Sequence, residues 1–266
     1  MYDKYNRDIH YLRISVTDRC NLRCRYCMPE EGVKALRHEE ILTLEEIHEF
    51  AKVAVTNGIN KIRITGGEPL VRKNIVHLIE LLSGINGLTD LSLTTNGTFL
   101  EEFARPLAEA GLKRVNISLD TLDPEKYKEI TRGGDITKVI KGISAAKQAG
   151  LLPIKINCVV NKSSSEPDAI NVKEFCELQK IQVRFIHQMN LEAGEYSVVE
   201  GGTGGDCSSC NKLRLSSDGF LRPCLFNDLS FNIRELGFEK AFLLAIQSKP
   251  PCGTNSLKNS FYTLGG

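Results

Sequence analysis

The feature that most constrains this chain is an alternation, kept up over its first 190 residues, between short β-rich runs and helix-period segments. Strand-like runs fall at 11–16, 61–65, 90–94, 114–118, 154–160 and 182–186. Helix-period segments fall at 43–56, 74–82, 100–110, 136–149 and 168–178, and Thr43 followed by Glu46 forms a capping box at the first of them. Six βα-type units in series predict a parallel sheet with right-handed crossovers, an α/β fold wound as a partial (β/α)6 TIM-like barrel. An antiparallel sheet with one wet face is the alternative, but the connections are too long for hairpins.

Side chains alternate across a strand. Arg13 and Ser15 share one face of the first run, opposite Leu12 and Ile14. Lys61, Arg63 and Thr65 oppose Ile62 and Ile64, and Ser92 and Thr94 oppose Leu91 and Leu93. Asn116 and Ser118 oppose Val115 and Ile117, Lys155 and Asn157 oppose Ile154 and Ile156, and Arg184 opposes Val183 and Phe185. Crossover helices must cover the apolar face, so the polar face points into the barrel, where an ordinary lumen holds Val, Ile and Leu. A lumen carrying Arg13, Lys61, Arg63, Lys155 and Arg184 is unstable unless it holds something large and anionic, such as a polyphosphate. The net charge of +1 gives no global field towards nucleic acid or an anionic membrane, so anion binding must be local.

Cys20, Cys24 and Cys27 are spaced C-x3-C-x2-C in the loop after the first strand, at the barrel mouth. Three thiolates on one short loop can hold three irons of a [4Fe–4S] cluster and leave the fourth open for chemistry. Zinc is the bland alternative, but a structural zinc site wants a fourth ligand, and no His or further Cys lies nearby in sequence. Cys207, Cys210 and Cys224 form a second three-cysteine set, C-x2-C-x13-C, with a zinc ribbon as the alternative and Cys252 as a candidate fourth ligand. Of the nine cysteines, Cys158, Cys176 and Cys252 read as buried thiols. No apolar run is long enough to span a membrane and no signal-peptide core is present, so a cytoplasmic protein is expected. Nine cysteines in that setting point to metal or redox chemistry rather than disulfides.

The first cysteine set after a barrel strand, with Gly66-Gly67-Glu68-Pro69 directly after the second strand, resembles the signature of the radical S-adenosylmethionine (SAM) superfamily. The resemblance implies that Cys20, Cys24 and Cys27 hold the cluster whose open iron is chelated by SAM. It further implies that Tyr26, Gly66, Gly67, Glu68, Thr94, Ser118 and Asn157 hold SAM, and that reduction cleaves SAM to methionine and a 5′-deoxyadenosyl radical.

A closer resemblance, to the GTP 3′,8-cyclase family of molybdenum-cofactor biosynthesis, is carried by LRISVTDRCNLRCRYCMP, KIRITGGEPLVR, LTTNG, RVNISLD, CSSCNKLRLSSDGFLRPCLF and the terminal Gly265-Gly266. It implies two [4Fe–4S] clusters, the second held by Cys207, Cys210 and Cys224 and binding the guanine. It implies that Arg13, Lys61, Arg63, Lys155 and Arg184 grip the triphosphate of GTP, that Lys212 and Arg214 act at the active site, and that the double glycine reaches into it. A flavodoxin- or ferredoxin-like electron donor and a downstream pyranopterin monophosphate synthase are the implied partners, with a homodimer as an assembly it allows. A related enzyme acting on a peptide or another nucleotide, or a non-catalytic iron–sulfur or zinc protein, are the rival readings.

The chain departs from the family in two ways. Lys212 stands where the family has Arg, which keeps the charge and loses the planar fork. The stretch between Ile186 and Cys207 is short and glycine-rich, and such composition carries little intrinsic order. The expected organisation is a radical SAM barrel over 1–190, a shortened linker over 191–206, and a C-terminal cluster segment and tail over 207–266.

Overall fold

The protein is described from a computed structural model covering residues 1–265; Gly266, half of the double glycine, lies outside the described residues. The six expected strands are present as β1 (Tyr11–Ser15), β2 (Lys61–Thr65), β3 (Asp90–Thr95), β4 (Arg114–Ser118), β5 (Lys155–Val160) and β6 (Gln182–His187). The crossover helices are α1 (Leu44–Thr56), α2 (Ile75–Ser83), α3 (Leu100–Glu109), α4 (Pro124–Thr131), α5 (Ile136–Gln148) and α6 (Pro167–Leu178). The capping box is realised: the Thr43 hydroxyl accepts from the Glu46 N–H, and the Glu46 carboxylate accepts from the Thr43 N–H. The short α4 was not anticipated. Its start is marked by Asp123, which caps two N–H groups, and by Pro124 at the first helical position.

All six strands run parallel in the order β6-β5-β4-β3-β2-β1. The apolar faces of the strands, Leu12, Ile14, Ile62, Ile64, Leu93, Val115, Ile117 and Ile156, are fully buried in one core with Ile47, Phe50, Leu78, Leu107, Val139 and Val172 of the helices. This leaves the polar faces inside the barrel, as the alternation requires.

The segment after the glycine-rich bridge joins the same sheet. β7 (Lys212–Leu215) pairs parallel with β1, and β8 (Phe220–Arg222) and β9 (Phe231–Asn232) continue antiparallel beyond it. The short α7 (Ile233–Leu236) leads into α8 (Phe238–Gln247), which packs back on α1 with Phe238 edge-on to Phe50, and α9 (Phe261–Leu264) closes the chain.

The bridge itself is tied down, contrary to what its composition suggests. Phe185 on the free edge of β6 exchanges both backbone hydrogen bonds with Glu200, and the Val199 N–H donates to the Gly204 carbonyl. Its glycines are needed where the backbone doubles back: a Cβ on Gly205 would meet the Ser197 carbonyl oxygen at 2.0 Å. Among the described residues, no helix is long and apolar enough to cross a membrane.

Candidate functional site

Parallel registry builds the lumen in rows. Arg13 on β1 lies between Arg63 on β2 and Arg214 on β7, and the row continues through Ser92 to Arg114. One step lower, Tyr11 lies between Lys61 and Lys212, and Lys61 faces Asp90. Adjacent strands are only about 4.8 Å apart, so these cations crowd one another. Burial, Arg214 and Arg63 all disfavour the charged form of Arg13, and Lys212 is pushed down to about 8, by burial first.

The lumen offers little internal compensation. Asp90 binds Lys61 at 3.2 Å and Arg114 at 2.7 Å, and the Tyr11 ring carries Lys61 at 5.0 Å and Arg63 at 5.4 Å. Tyr11 Oη and Arg184 Nε are buried without a hydrogen-bond partner among the described residues. Such a chamber fits an anionic ligand with hydrogen-bonding capacity on several sides. Tyr11, Asp90 and Arg114 were missed by sequence reasoning. Tyr11 and Asp90 begin the strands whose alternation had already marked the inward face, so extending the same count would have found them.

This chamber, a cavity of about 230 Å³, is lined by Arg13, Lys61, Arg63, Arg184, Lys212 and Arg214 together with Cys207, Cys210 and Cys224. Lys155 does not line it. It sits lower on β5, in register with Asn116 and Gln182, close enough to Arg184, Lys61 and Arg63 for their charge, after burial, to bring it down to about 8.

A second cavity of about 170 Å³ adjoins towards the mouth, and the two share Asn157, Ile186 and Met189. Cys20, Cys24 and Cys27 border it, with Tyr26, Gly66, Gly67, Thr94 and Ser118. Thr94 Oγ1 is buried without a hydrogen-bond partner among the described residues. Burial pushes the Cys24 and Cys27 thiols up to about 12, so a bound cation is what would turn them into thiolates. Among the described residues no three ligating side chains converge on one metal-sized point. Each thiol set is instead spread round a cavity, an arrangement that suits a multi-iron cluster. The donor chemistry, the orphaned hydroxyl and the glycine-floored opening fit an iron–sulfur cluster with a polar organic ligand.

Glu68 does not border the cavity. Its buried carboxylate accepts from the Leu70 N–H at 3.0 Å, the Asn96 N–H at 2.7 Å and the Thr95 hydroxyl at 2.8 Å, and so ties the loops after β2 and β3 together; burial raises it to about 7. The glycines do border the cavity, but the close approach they permit is to the chain itself. A Cβ on Gly67 would meet the Arg19 carbonyl oxygen at 2.4 Å, and one on Gly66 the Thr17 carbonyl oxygen at 2.8 Å. The loop carrying the first cysteine set therefore rests on the glycine pair. Asp120, also missed, receives the Tyr26 hydroxyl at 2.8 Å and the Val159 N–H at 2.8 Å, and burial raises it to about 6. It lies just past β4, where strand alternation no longer predicts direction.

The second set is braced from afar. Arg7, paired with Asp3 at 2.6 Å, donates to the carbonyls of Cys207, Pro250 and Pro251. Cys158 and Cys176 are buried as expected, but Cys252 is exposed, with its Sγ 3.2 Å from that of Cys207 and 2.9 Å from the Tyr196 hydroxyl. The tail reaches the mouth: Thr65 donates to the Leu264 carbonyl and Arg214 to the Gly265 carbonyl, both at 3.3 Å, and Gly265 lines the first-set cavity.

Residues 14–176 match the Radical SAM superfamily family model. The chain is 44% identical to the GTP 3′,8-cyclase of Moorella thermoacetica, covering 88% of this chain and 86% of that one. It is 41% identical to the GTP 3′,8-cyclase of Petrotoga mobilis, covering 98% and 97%. These alignments run over 280 and 318 positions, more than the 266 residues present, so the relatives carry residues with no counterpart here. Among solved structures, SuiB of Streptococcus suis bound to S-adenosylmethionine shares the fold, with a TM-score of 0.67 at 19% identity over 93% of this chain and 66% of that one. The lumen rows, the two thiol sets and these matches lead to one assignment: the chain belongs to the radical SAM superfamily and, within it, to the GTP 3′,8-cyclase family.

Proposed function

We propose that this chain is a radical SAM enzyme of the GTP 3′,8-cyclase type, converting GTP to (8S)-3′,8-cyclo-7,8-dihydroguanosine 5′-triphosphate in molybdenum-cofactor biosynthesis. The observation that carries the reading is the pair of adjoining cavities sharing Asn157, Ile186 and Met189, with one thiol set on each and the cations concentrated in one. Cys20, Cys24 and Cys27 hold the first [4Fe–4S] cluster, and Cys207, Cys210 and Cys224 the second. With the clusters and SAM bound, reductive cleavage of the sulfonium supplies the hydrogen-atom abstraction that a C–H bond of the ribose requires.

The protein's part is to position and to shield. Gly66 and Gly67 seat the first-cluster loop, and Thr94, Ser118 and Asn157 present hydrogen-bonding groups to SAM beside Tyr26. Arg13, Lys61, Arg63 and Arg184 take the triphosphate, Lys155 adding charge from below, and Lys212 and Arg214 act at the active site beside the second thiol set. The tail at the mouth limits water. We read 1–190 as the SAM-binding unit and 207–266 as the unit that presents the second cluster, joined by 191–206. A flavodoxin- or ferredoxin-like protein delivers electrons, and pyranopterin monophosphate synthase consumes the product. Self-association as a homodimer belongs to the same proposal.

The test is 5′-deoxyadenosine formation by anaerobically reconstituted protein with SAM and a strong reductant, with and without GTP. Stimulation by GTP with a cyclised nucleotide product is expected, and SAM cleavage indifferent to GTP would send the search to another substrate. Arg63→Ala should weaken GTP binding by about tenfold or more, the loss of a charge-assisted phosphate contact, with SAM binding little changed.

A further inference from the structure

Lys249, just after α8, is 1% exposed and among the largest fully buried side chains. Its ammonium donates to the Lys212 carbonyl at 2.7 Å and the Pro223 carbonyl at 2.6 Å. No carboxylate of the described residues pairs with it. A lysine ammonium has three donors; two go to these carbonyls and the side chain also reaches the Cys210 thiol, and a buried cation is costly unless an anion lies beside it. The two carbonyls belong to the residues two after Cys210 and one before Cys224. The charge of Lys249 is felt at both of those sulfurs. The first thiol set has different surroundings: the carboxyls of Glu68 and Asp120 act on it.

We propose that Lys249 is the positioning and counter-charge residue of the second cysteine set, clamping β7 to the end of β8 so that Cys210 and Cys224 face one cluster, and making that cluster easier to reduce. The inference rests on the reading that Cys207, Cys210 and Cys224 carry a [4Fe–4S] cluster. Three thiolates around such a cluster make it anionic, reduction adds a further negative charge, and a fixed cation against the sulfurs favours the reduced form. The clamp and the charge are one device: the two carbonyls aim the ammonium, and the ammonium fixes the spacing of the two ligand segments.

The test uses the full chain with Cys20, Cys24 and Cys27 replaced by Ser, so that only the second cluster contributes to the spectra. Iron and sulfide content and an EPR-monitored redox titration are compared for this protein and for the same protein carrying Lys249→Met or Lys249→Arg. With Lys249→Met, the reduced-to-oxidised ratio at the parent's midpoint potential should fall about tenfold or more, equivalent to about 59 mV for a one-electron couple. Lys249→Arg should hold the parent's ratio. If Lys249→Met loads iron fully and titrates like the parent, the proposal is wrong. If Lys249→Met cannot hold iron, the proposal stands when Lys249→Arg loads and titrates normally, and falls when Lys249→Arg fails in the same way. A parent protein that binds no iron at the second set would instead overturn the reading of that set as a cluster site, and the role of Lys249 with it.

Discussion

Lys155 stands two residues below Asn157 on β5, with burial and then Arg184, Arg114, Lys61 and Arg63 acting on its ammonium. Together they bring it down to about 8 from the ordinary lysine value of 10.5. Between those two values the ligand-free native state binds fewer protons than the unfolded chain, so this residue makes stability rise with pH across that window. A triphosphate in the lumen opposes the repulsion and restores the proton. GTP binding should therefore take up a proton near pH 8 and weaken as pH rises through that value. Calorimetry in two buffers of different ionisation enthalpy would measure the uptake, and Lys155→Met should abolish most of it. A proton count that Lys155→Met leaves unchanged would move the effect to Lys212, which is also brought down to about 8. The acids of the site titrate in the opposite sense. Burial raises Asp120 and Glu68, which disfavours their charged forms, and each is kept in place by the donors it satisfies.

Elements decide which of these residues meet. Gly67→Ala should displace the Arg19 carbonyl and with it the loop bearing Cys20. Iron in the reconstituted protein should then fall from about eight atoms towards about four, with the second set still loaded. Iron and sulfide analysis checks this, and full loading of the variant would show that the loop yields without cost. Much of this arrangement was legible in advance, because β1 to β6 each carry an apolar–polar alternation over at least four residues between long helix-period connections. The same counting placed Arg13, Lys61, Arg63, Lys155 and Arg184 on the inward face. What alternation could not convey was depth along the strand, which leaves Lys155 below the chamber. Nor could it convey contacts at loop ends, where Glu68 and Asp120 turn to bind backbone N–H groups. β7 was hidden for another reason: its four residues lie in a cysteine-rich segment, and their partner is β1, about 200 positions away. The bridge was misjudged because glycine content describes freedom in the unfolded chain, whereas the free edge of β6 supplies hydrogen bonds that hold it.

At the scale of the whole molecule, the first and last described segments are both fastened to the site. Arg7 and Asp3, both buried, pin the N-terminal turn to Cys207 and to Pro250 and Pro251. Arg7→Ala removes the counter-charge of the buried Asp3, leaving it only the backbone N–H groups of Tyr5 and residue 7, and frees three carbonyls, so the apo protein should lose about 3 kcal/mol. Urea unfolding would measure that loss, and a change within about 0.5 kcal/mol would mean that the turn simply detaches. The pairing of β7 with β1 also bears on how the molecule comes into being. As the chain leaves the ribosome, β1 finds β2 after some fifty residues, but its other edge stays unpaired until residues 212–215 emerge. Until then the nascent chain presents an open strand edge at the half-built lumen, the kind of surface that recruits stray strands and chaperones. On the proposed reading of Cys207, Cys210 and Cys224 as a cluster site, that set is complete only once the strands that finish the sheet have emerged, because Cys210 and Cys224 flank β7 and β8. Topology thus orders the two thiol sets during synthesis, the loop of Cys20, Cys24 and Cys27 emerging some 180 residues before Cys207, Cys210 and Cys224.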